Sequence, residues 1–229
     1  MSNLKNSNEV TIYLVSRLGS ERVKDKIYRE FYKDLSLFEI ACQKMKELSF
    51  PCAAAIGDKE LIEIANKYNV PIQLRSQSSL KAQQGSLLRE IYAFLEKCPT
   101  KYACLLSPCA PFLKMETLNK ACDLICNTEN MSVTSVYFEQ NWFFGSDKKP
   151  LFPVDVIRMD SKFLSLYGKA NAFEIFPVKR FLEKGYYFNY ESPKDPYFFE
   201  IDKEEAIDIN SEVEFKQASY LWKAKQDDK

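Results

Sequence analysis

The sequence predicts one α/β domain with a mostly parallel β-sheet that is covered by helices on both faces. Short apolar runs suited to buried strands alternate with segments whose apolar residues repeat at helical spacing, and the connections are short. Such alternation is typical of parallel sheets, because their crossover connections are usually helices. The length of 229 residues suffices for one large core, and no linker or repeat divides residues 1–229.

The elements are predicted in order along the chain. Val10–Val15 is rich in β-branched residues and leads into a glycine loop, as a central parallel strand does. Ser36–Glu39 forms a capping box, in which serine and glutamate cap the helix start reciprocally. The other predicted strands are Cys52–Ile56, Pro71–Leu74, Tyr102–Leu106, Met131–Tyr137, Asn171–Phe176 and Tyr197–Ile201. The other predicted helices are Glu60–Tyr68, a helix capped by Ser86, Met115–Ile125 and Val178–Lys184. A terminal helix is predicted to begin with a second capping box, Ser211–Glu214. Its inward face is predicted to carry Phe215, Ala218, Leu221 and Trp222.

Residues 141–167 follow no clear period and are rich in aromatic side chains. Trp142, Phe143, Phe144 and Phe152 are predicted to be exposed. The segment is therefore either a hairpin excursion from the sheet or a flap that binds a partner.

Composition excludes several function classes. The balance of 32 basic and 32 acidic residues disfavours nucleic acid as the main partner, since that role needs a basic footprint. No apolar run approaches the roughly 20 residues of a membrane span. Seven cysteines without paired spacing indicate reduced thiols in a cytosolic chain. Cys122 and Cys126, four residues apart on a predicted helix, fit small core residues better than zinc ligands.

Histidine is absent. This excludes Ser-His and Cys-His nucleophilic machinery, histidine-ligated zinc and imidazole acid–base catalysis. Any chemistry must therefore use carboxylates, lysine, arginine, hydroxyl groups, backbone amides and a hard metal ion.

The loop after the first strand is the strongest candidate for a functional site. It reads Ser-Arg-Leu-Gly-Ser-Glu-Arg over residues 16–22, and Lys24 and Lys26 follow. Glycine lets backbone N–H groups approach phosphates, and guanidinium groups grip phosphate oxygens in pairs. The sequence is neither a Walker loop nor a dinucleotide fingerprint. Its position at the carboxyl end of a strand favours phosphate binding over the alternative, a solvated charged turn.

Ile12–Lys26 resembles the opening of the CMP-sugar synthetases, which include the acylneuraminate, Kdo and spore-coat polysaccharide cytidylyltransferases. The family loop reads roughly Ala-Arg-x-Gly-Ser-Lys/Thr-Arg-x-Pro-x-Lys. Glu21 and Lys24 depart from it. The matching residues are Arg17, Gly19, Ser20, Arg22 and Lys26.

Four further segments extend this resemblance over nearly the whole chain. Arg75 precedes Ser86 by eleven residues, a spacing similar to that of the family's nucleotide-contacting arginine and serine. Leu106–Phe112 is similar to the family's Gln-Pro-Thr-Ser-Pro-Leu segment, with Ser107 in the glutamine position. Asn171–Phe176 is similar to the family's Asn-Gly-x-x-Tyr-Ile strand. Ile207–Asn210, with Phe215 after it, is similar to the family's Ile-Asp-Ile-Asp-x-x-x-Asp-Phe motif.

The resemblance implies a three-layer α/β/α nucleotidyltransferase fold that is Rossmann-like and GT-A-like. It also implies transfer of CMP from CTP to a sugar acid of the nonulosonic type, with release of pyrophosphate, for surface polysaccharide synthesis. Mg²⁺ is the implied cofactor, and a homodimer joined by an arm within residues 138–169 is the implied assembly. The implied roles are catalysis for Arg17, Lys26 and Asp208; nucleotide binding for Arg17, Gly19, Ser20, Arg22, Lys26, Arg75, Ser86 and Ser107; metal binding for Asp208 and Asn210; and acceptor binding for Asn171.

Two other interpretations stay open. A catalytically weakened relative that binds a nucleotide or a partner is suggested by Glu21, Ser107 and Asn210, where the chain departs from the family. The loop of residues 16–22 is called the phosphate loop from here on, after its predicted role. The Glu21 carboxylate inside it would repel a triphosphate by about 1 to 4 kcal/mol. The second open interpretation is a cytidylyltransferase that uses another acceptor. Asp208–Ser211 would also suit a strand end followed by a helix N-cap.

Overall fold

Strands and helices alternate along the chain in this computed structural model, which describes residues 9–20, 22–82, 86–152 and 165–227. The strands are β1 (Val10–Val15), β2 (Glu30–Tyr32), β3 (Leu35–Ser36), β4 (Cys52–Ile56), β5 (Ile72–Leu74), β6 (Tyr102–Leu106), β7 (Val133–Gln140), β8 (Ser165–Pro177) and β9 (Tyr197–Glu200). The helices are α1 (Leu37–Lys44), α2 (Lys59–Lys67), α3 (Gln77–Lys81), α4 (Leu88–Ile91), α5 (Met115–Cys126), α6 (Val178–Lys184) and α7 (Glu212–Asp227), with 3₁₀ turns at Met45–Glu47 and Ala93–Lys97. Within these residues, no helix has the length and hydrophobicity needed to cross a membrane.

Seven strands form one sheet in the order β5-β4-β1-β6-β8-β7-β9. The pairs β1–β4, β1–β6, β4–β5 and β7–β9 are parallel, whereas β8 runs antiparallel to both of its neighbours. The prediction of a mostly parallel sheet is therefore confirmed. As a consequence, the carboxyl ends of β1, β4, β5 and β6 lie at one edge of the sheet.

Both faces of the sheet are covered, as predicted. Ile12 and Leu14 face a core cluster that packs α1, α2 and α5 on one side. Tyr13 faces a second cluster on the other side, which contains α6 and the 3₁₀ turn. There Tyr13 contacts Phe94 edge-on with ring centroids 5.2 Å apart, and Phe176 contacts Phe181 at 5.5 Å. The alternation of side chains along β1 thus builds a three-layer α/β/α domain.

One of the two predicted capping boxes is complete. The Ser36 hydroxyl accepts from the Glu39 amide at 3.2 Å, and the Glu39 carboxylate accepts from the Ser36 amide at 3.0 Å. At the start of α7, the Ser211 hydroxyl accepts from the Glu214 amide at 3.2 Å. The Glu214 carboxylate instead accepts from the Asn210 amide at 2.8 Å, one residue earlier than the box predicts.

Two details of the helix predictions are wrong. Ser86 is not an N-cap, because α4 begins at Leu88 and Leu87 holds the cap position with 68% of its surface exposed. The helix is only one turn long because side chains from outside it take the carbonyl of Ile91, and the chain continues as a 3₁₀ turn. Leu221 is exposed rather than inward, because α7 packs on β2 through other residues of its face.

The irregular segment after β7 is a hairpin excursion over residues 141–152. Phe144 and Pro150 form an isolated β-bridge, and Trp142 and Phe144 are exposed as predicted. Phe143 and Phe152 are half-buried rather than exposed, and the Phe152 ring packs edge-on against Trp142 with centroids 4.9 Å apart. Residues 153–164 lie outside the described residues, so the arm expected within 138–169 stays a prediction.

Candidate functional site

A cleft of about 640 Å³ opens at the carboxyl ends of β1, β5 and β6. Ligands of open α/β sheets bind at this edge, where loops from neighbouring parallel strands converge. Seven of the residues predicted to bind the nucleotide line the cleft, namely Arg17, Gly19, Ser20, Arg22, Lys26, Arg75 and Ser107. The described lining does not include Ser86, Asn171, Asp208 or Asn210.

The first loop is held in a tight turn beneath the cleft. Gly19 has φ +85°, a left-handed conformation that is strained for residues with a side chain. The Leu18 amide donates to the Asp58 carboxylate at 3.0 Å, which ties the loop to the start of α2. The Ser20 hydroxyl accepts from the Val23 amide at 3.4 Å. Glu21 lies outside the described residues, so its effect on a triphosphate stays a prediction.

Lys26 connects the phosphate loop to the segment that carries Asp208. Its side chain is buried, and its Nζ donates to the Ile209 carbonyl at 2.5 Å. The Ile209 amide in turn donates to the Cys109 carbonyl at 3.1 Å, within the loop that follows β6. Residues that are far apart in sequence therefore meet at one side of the cleft.

Asp208 is a half-buried carboxylate beside two cations. Its Oδ2 accepts from the Asn210 side-chain amide at 2.8 Å. Burial raises the pKa of the Asp208 carboxyl, while this hydrogen bond and the charges of Lys26 and Arg22 oppose the rise. A perturbed carboxylate among cations at the margin of a cleft is a common feature of functional sites.

Arg17 reaches across the cleft to the end of α3. Its Nη1 donates to the carbonyl of Leu80 at 2.8 Å and to that of Ala82 at 2.6 Å. A cation at a helix C-terminus is favourable because it faces the negative end of the helix dipole. Arg22 also lines the cleft, and its side chain is exposed.

Arg75 is buried, and its guanidinium donates to acceptors of the protein itself. Nη1 bonds the Ser16 carbonyl at 3.1 Å, and Nε bonds the Ser79 hydroxyl at 3.1 Å. Nη2 donates to the carbonyls of Ser79 and Ile91 at 3.0 and 3.2 Å. Burial, and then the nearby charge of Arg17, lowers the pKa of Arg75. The side chain thus joins the start of the phosphate loop to α3 and α4, and a direct nucleotide contact stays a prediction.

Ser107 and Asn171 lie close together although only Ser107 lines the cleft. The Ser107 amide donates to the Ala172 carbonyl at 3.0 Å, next to Asn171. Asn171 is exposed and has φ +52°, which bends β8 at this point. The Ser107 hydroxyl accepts from the Cys109 amide at 3.2 Å and so shapes the loop after β6.

Sequence reasoning missed two residues that support the cleft. Asp58 comes two residues after the end of β4, so an acidic residue soon after a predicted parallel strand was the available signal. Lys44 of α1 donates to the carbonyls of Pro111 and Leu113 in the loop after β6, and burial lowers its pKa to about 8. A lysine on an amphipathic helix gives no comparable signal.

The side chains near Asp208 offer one carboxylate to a magnesium ion. Within the described part of the chain, no three His, Cys, Asp or Glu side chains gather as ready-made metal ligands. Mg²⁺ in nucleotide enzymes is usually held by one or two carboxylates together with substrate phosphates and waters. One carboxylate beside the cationic loop of residues 16–22 fits that mode, and the Asn210 side-chain amide donates to Asp208.

Comparison with known proteins identifies the fold. No model of a known protein family matches the sequence, and no curated protein matches it. The solved structure of a CMP:2-keto-3-deoxy-manno-octonic acid synthetase complexed with CTP aligns over 95% of this chain and 99% of its own, with a TM-score of 0.68 at 7% identity. A 4-diphosphocytidyl-2C-methyl-D-erythritol synthase from Anaerococcus prevotii aligns over 95% and 100%, with a TM-score of 0.63 at 11% identity.

The chain has an α/β nucleotidyltransferase fold. The fold that the resemblance to CMP-sugar synthetases implies is therefore confirmed. Within this fold, the cleft lies where the loop of residues 16–22, the loop after β6 and the segment around Asp208 meet.

Proposed function

We propose that this chain transfers CMP from CTP to a hydroxyl group of a sugar and releases pyrophosphate. The observation that carries the proposal is the convergence of Arg17, Arg22 and Lys26 in one cleft with Asp208 at its margin. A triphosphate needs such cations, and phosphoryl transfer relies on positioning and charge neutralisation more than on covalent help from the protein. The similar fold of a synthetase complexed with CTP supports cytidine as the base.

The side chains suggest a division of labour during the transfer. Arg17 and Arg22 would hold phosphate oxygens of the bound nucleotide, and Gly19 lets the backbone approach them. Lys26 lies between the phosphate loop and the Asp208 segment, where its charge can neutralise the α-phosphate as the acceptor oxygen attacks. Asp208, oriented by Asn210, would hold Mg²⁺, which when bound neutralises phosphate charge.

Location and assembly belong to the same proposal. All seven cysteines are free thiols, which supports a reducing compartment such as the cytosol. The exposed aromatic residues Trp142, Phe144, Tyr167 and Phe198 support self-association into a homodimer. A monomer mass in light scattering at working concentration would remove the dimer from the proposal. The sugar acid that the resemblance implies as acceptor stays a prediction.

Calorimetry and a pyrophosphate assay test the proposal. The protein is titrated with CTP, UTP, ATP and GTP in the presence of Mg²⁺, and pyrophosphate release is followed with acidic and uncharged sugars. We expect CTP to bind in the micromolar range usual for enzyme substrates and more tightly than the other nucleotides. If CTP does not bind, the proposal fails. If CTP binds but no sugar gives turnover, the chain is a nucleotide-binding module instead.

A further inference from the structure

A second cleft, of about 550 Å³, adjoins the same edge of the sheet. The cleft proposed above to bind the nucleotide is called the nucleotide cleft from here on. Ile91 at the end of α4 lines the nucleotide cleft, and Leu88 at the start of α4 lines the second cleft. Lys169 of β8, which also lines it, lies beyond the carboxyl end of β6, because Leu106 pairs with Phe173. One helical turn and one end of the sheet thus border both clefts.

Aromatic rings form much of the second cleft, which is called the aromatic cleft from here on. Tyr186, Tyr187, Phe188 and Tyr190 follow α6 and line it together with Asn189. Tyr187 stacks on Phe176 of the core at 4.9 Å, which anchors the segment. Tyr186 and Tyr190 are 43% and 78% exposed. Flat apolar rings with tyrosine hydroxyls and an amide offer stacking surfaces and uncharged hydrogen-bonding groups, which suits a ring-shaped polyhydroxy compound.

The lysine of the aromatic cleft is already paired with a carboxylate of the protein. The Lys169 ammonium lies 2.7 Å from the carboxylate of Glu174, a buried residue of the same strand. Glu191 is the one acidic residue of the described lining, to which Glu174 does not belong. Among the described lining residues, Lys169 is the one cation; Lys184 lies outside the lining, 5.9 Å from the Tyr186 ring centroid.

A ligand carboxylate would have to compete with Glu174 for the Lys169 ammonium. Any loss of that ion pair leaves the buried Glu174 charge less compensated, which is unfavourable. The Glu191 carboxylate would also repel the ligand. An uncharged ligand disturbs neither interaction.

We infer that the aromatic cleft binds the acceptor and that this acceptor is an uncharged, sugar-like ring rather than a sugar acid. Only the role of this ligand as the acceptor rests on the proposed function, whereas the preference for an uncharged ring rests on the residues of the aromatic cleft. In the reaction, a hydroxyl oxygen of the bound ring forms a bond to the α-phosphorus of CTP, the bond from that phosphorus to the leaving pyrophosphate breaks, and the hydroxyl proton passes to water.

A matched pair of ligands tests the charge preference. Methyl glucopyranoside and methyl glucuronopyranoside differ only in a hydroxymethyl group against a carboxylate, and their binding to the full chain is measured by saturation-transfer NMR and titration. We expect the glucoside to bind about tenfold more tightly, and its ring C–H groups to receive saturation from aromatic protons. Equal or tighter binding of the glucuronide overturns the inference.

Two pairs of variants locate the site. Tyr190→Ala should weaken glucoside binding about fivefold or more, whereas Tyr220→Ala, on α7 and 73% exposed, should leave it unchanged. Glu174→Gln keeps the shape of the side chain but frees the Lys169 charge, so the preference for the glucoside should shrink about tenfold toward the glucuronide. An unchanged preference in folded Glu174→Gln, or equal effects of the two tyrosine variants, contradicts the inference. If Glu174→Gln does not fold, the tyrosine pair decides.

Calorimetry with CTP separates this inference from the proposed function. If CTP binds and a sugar acid is turned over equally well by Tyr190→Ala, cytidylyl transfer stands and the aromatic cleft is not the acceptor site. If the glucoside binds in the aromatic cleft but CTP does not bind the chain, the cleft stands as a sugar site and the proposed function falls.

Discussion

The two clefts lie at the same edge of one sheet but differ in charge. The nucleotide cleft is lined by Arg17, Arg22, Lys26 and Arg75, against Asp25 as its one described acidic lining residue. In the aromatic cleft, Lys169 is already paired with a buried carboxylate. The difference teaches that the charge of the ligand that fits a cleft depends on which protein charges lack a partner there, and not on the number of cations in the lining.

Asp208→Asn should have the largest effect, because it removes the carboxylate that the proposed function assigns to Mg²⁺ at the margin of the nucleotide cleft. We expect kcat to fall about 100- to 1000-fold while CTP affinity changes by less than about threefold. Pyrophosphate release and calorimetry measure the two quantities. Asp202→Asn, an exposed acidic residue of the preceding segment, is the control and should retain activity. An active Asp208→Asn variant would show that the carboxylate takes no part in the transfer.

Lys26→Met should weaken CTP binding about 10- to 100-fold, since it removes a cation from the lining and leaves the Ile209 carbonyl without this donor. Lys24→Met is the matched control, because Lys24 is an exposed lysine of the same loop outside the lining. Titration calorimetry at two salt concentrations measures both variants. Similar losses in the two would mean that net charge of the loop, rather than the cleft, attracts the nucleotide.

Arg75→Lys separates a structural role from a nucleotide contact. A lysine cannot bridge Ser16, Ser79 and Ile91 together, so we expect the free energy of unfolding in urea to fall by about 2 to 3 kcal/mol. The exposed Arg89→Lys should change it by less than about 0.5 kcal/mol. Unchanged stability with weakened CTP binding would instead identify Arg75 as a direct ligand of the nucleotide.

Lys44→Met tests the half-buried cation behind the nucleotide cleft through the pH dependence of stability. The pKa of Lys44 is lowered by burial to about 8, so between about pH 8 and 10.5 the unfolded chain binds more protons than the folded chain. Lys44 therefore contributes stability that is fully present above the unfolded pKa and is lost as the pH falls through about 8.

From pH 7 to pH 9, the wild-type protein should gain about 1 kcal/mol relative to Lys44→Met, measured by urea unfolding at both pH values. Lys46→Met, an exposed lysine two residues away, should follow the wild type. A parallel pH dependence in wild type and Lys44→Met would show that Lys44 has an ordinary pKa.

The nucleotide cleft was largely predictable because each of its parts has a local signal. Val10–Val15 is a largely apolar run rich in β-branched residues, and the glycine and arginines that follow it lie at the carboxyl end of a parallel strand. The Ser36 capping box was predictable for the same reason, since it depends on residues three apart. Ser86 was misassigned because side chains distant in sequence bind the Ile91 carbonyl and confine α4 to one turn.

The aromatic cleft had no such signal. Residues five apart on a regular strand point to opposite faces of the sheet, so the sequence gives no reason to pair Lys169 with Glu174. The pairing of β7 with β8 shifts register between Thr134 and Val136, and Asn171 takes a positive φ between the two charged residues. Such an irregularity re-aims side chains, and here the lysine and the carboxylate meet at 2.7 Å.

The sequence by itself determined the alternating elements, the parallel sheet and the cationic loop at its edge, because hydrophobic periodicity and turn chemistry act over a few residues. Only the tertiary structure decided which charges remain available for a ligand. Whether Arg75 is held by backbone carbonyls, or Lys169 by Glu174, depends on contacts between strands and loops that are distant in sequence. Neutralisation of charge is a property of distance and burial, and neither is written in the order of the residues.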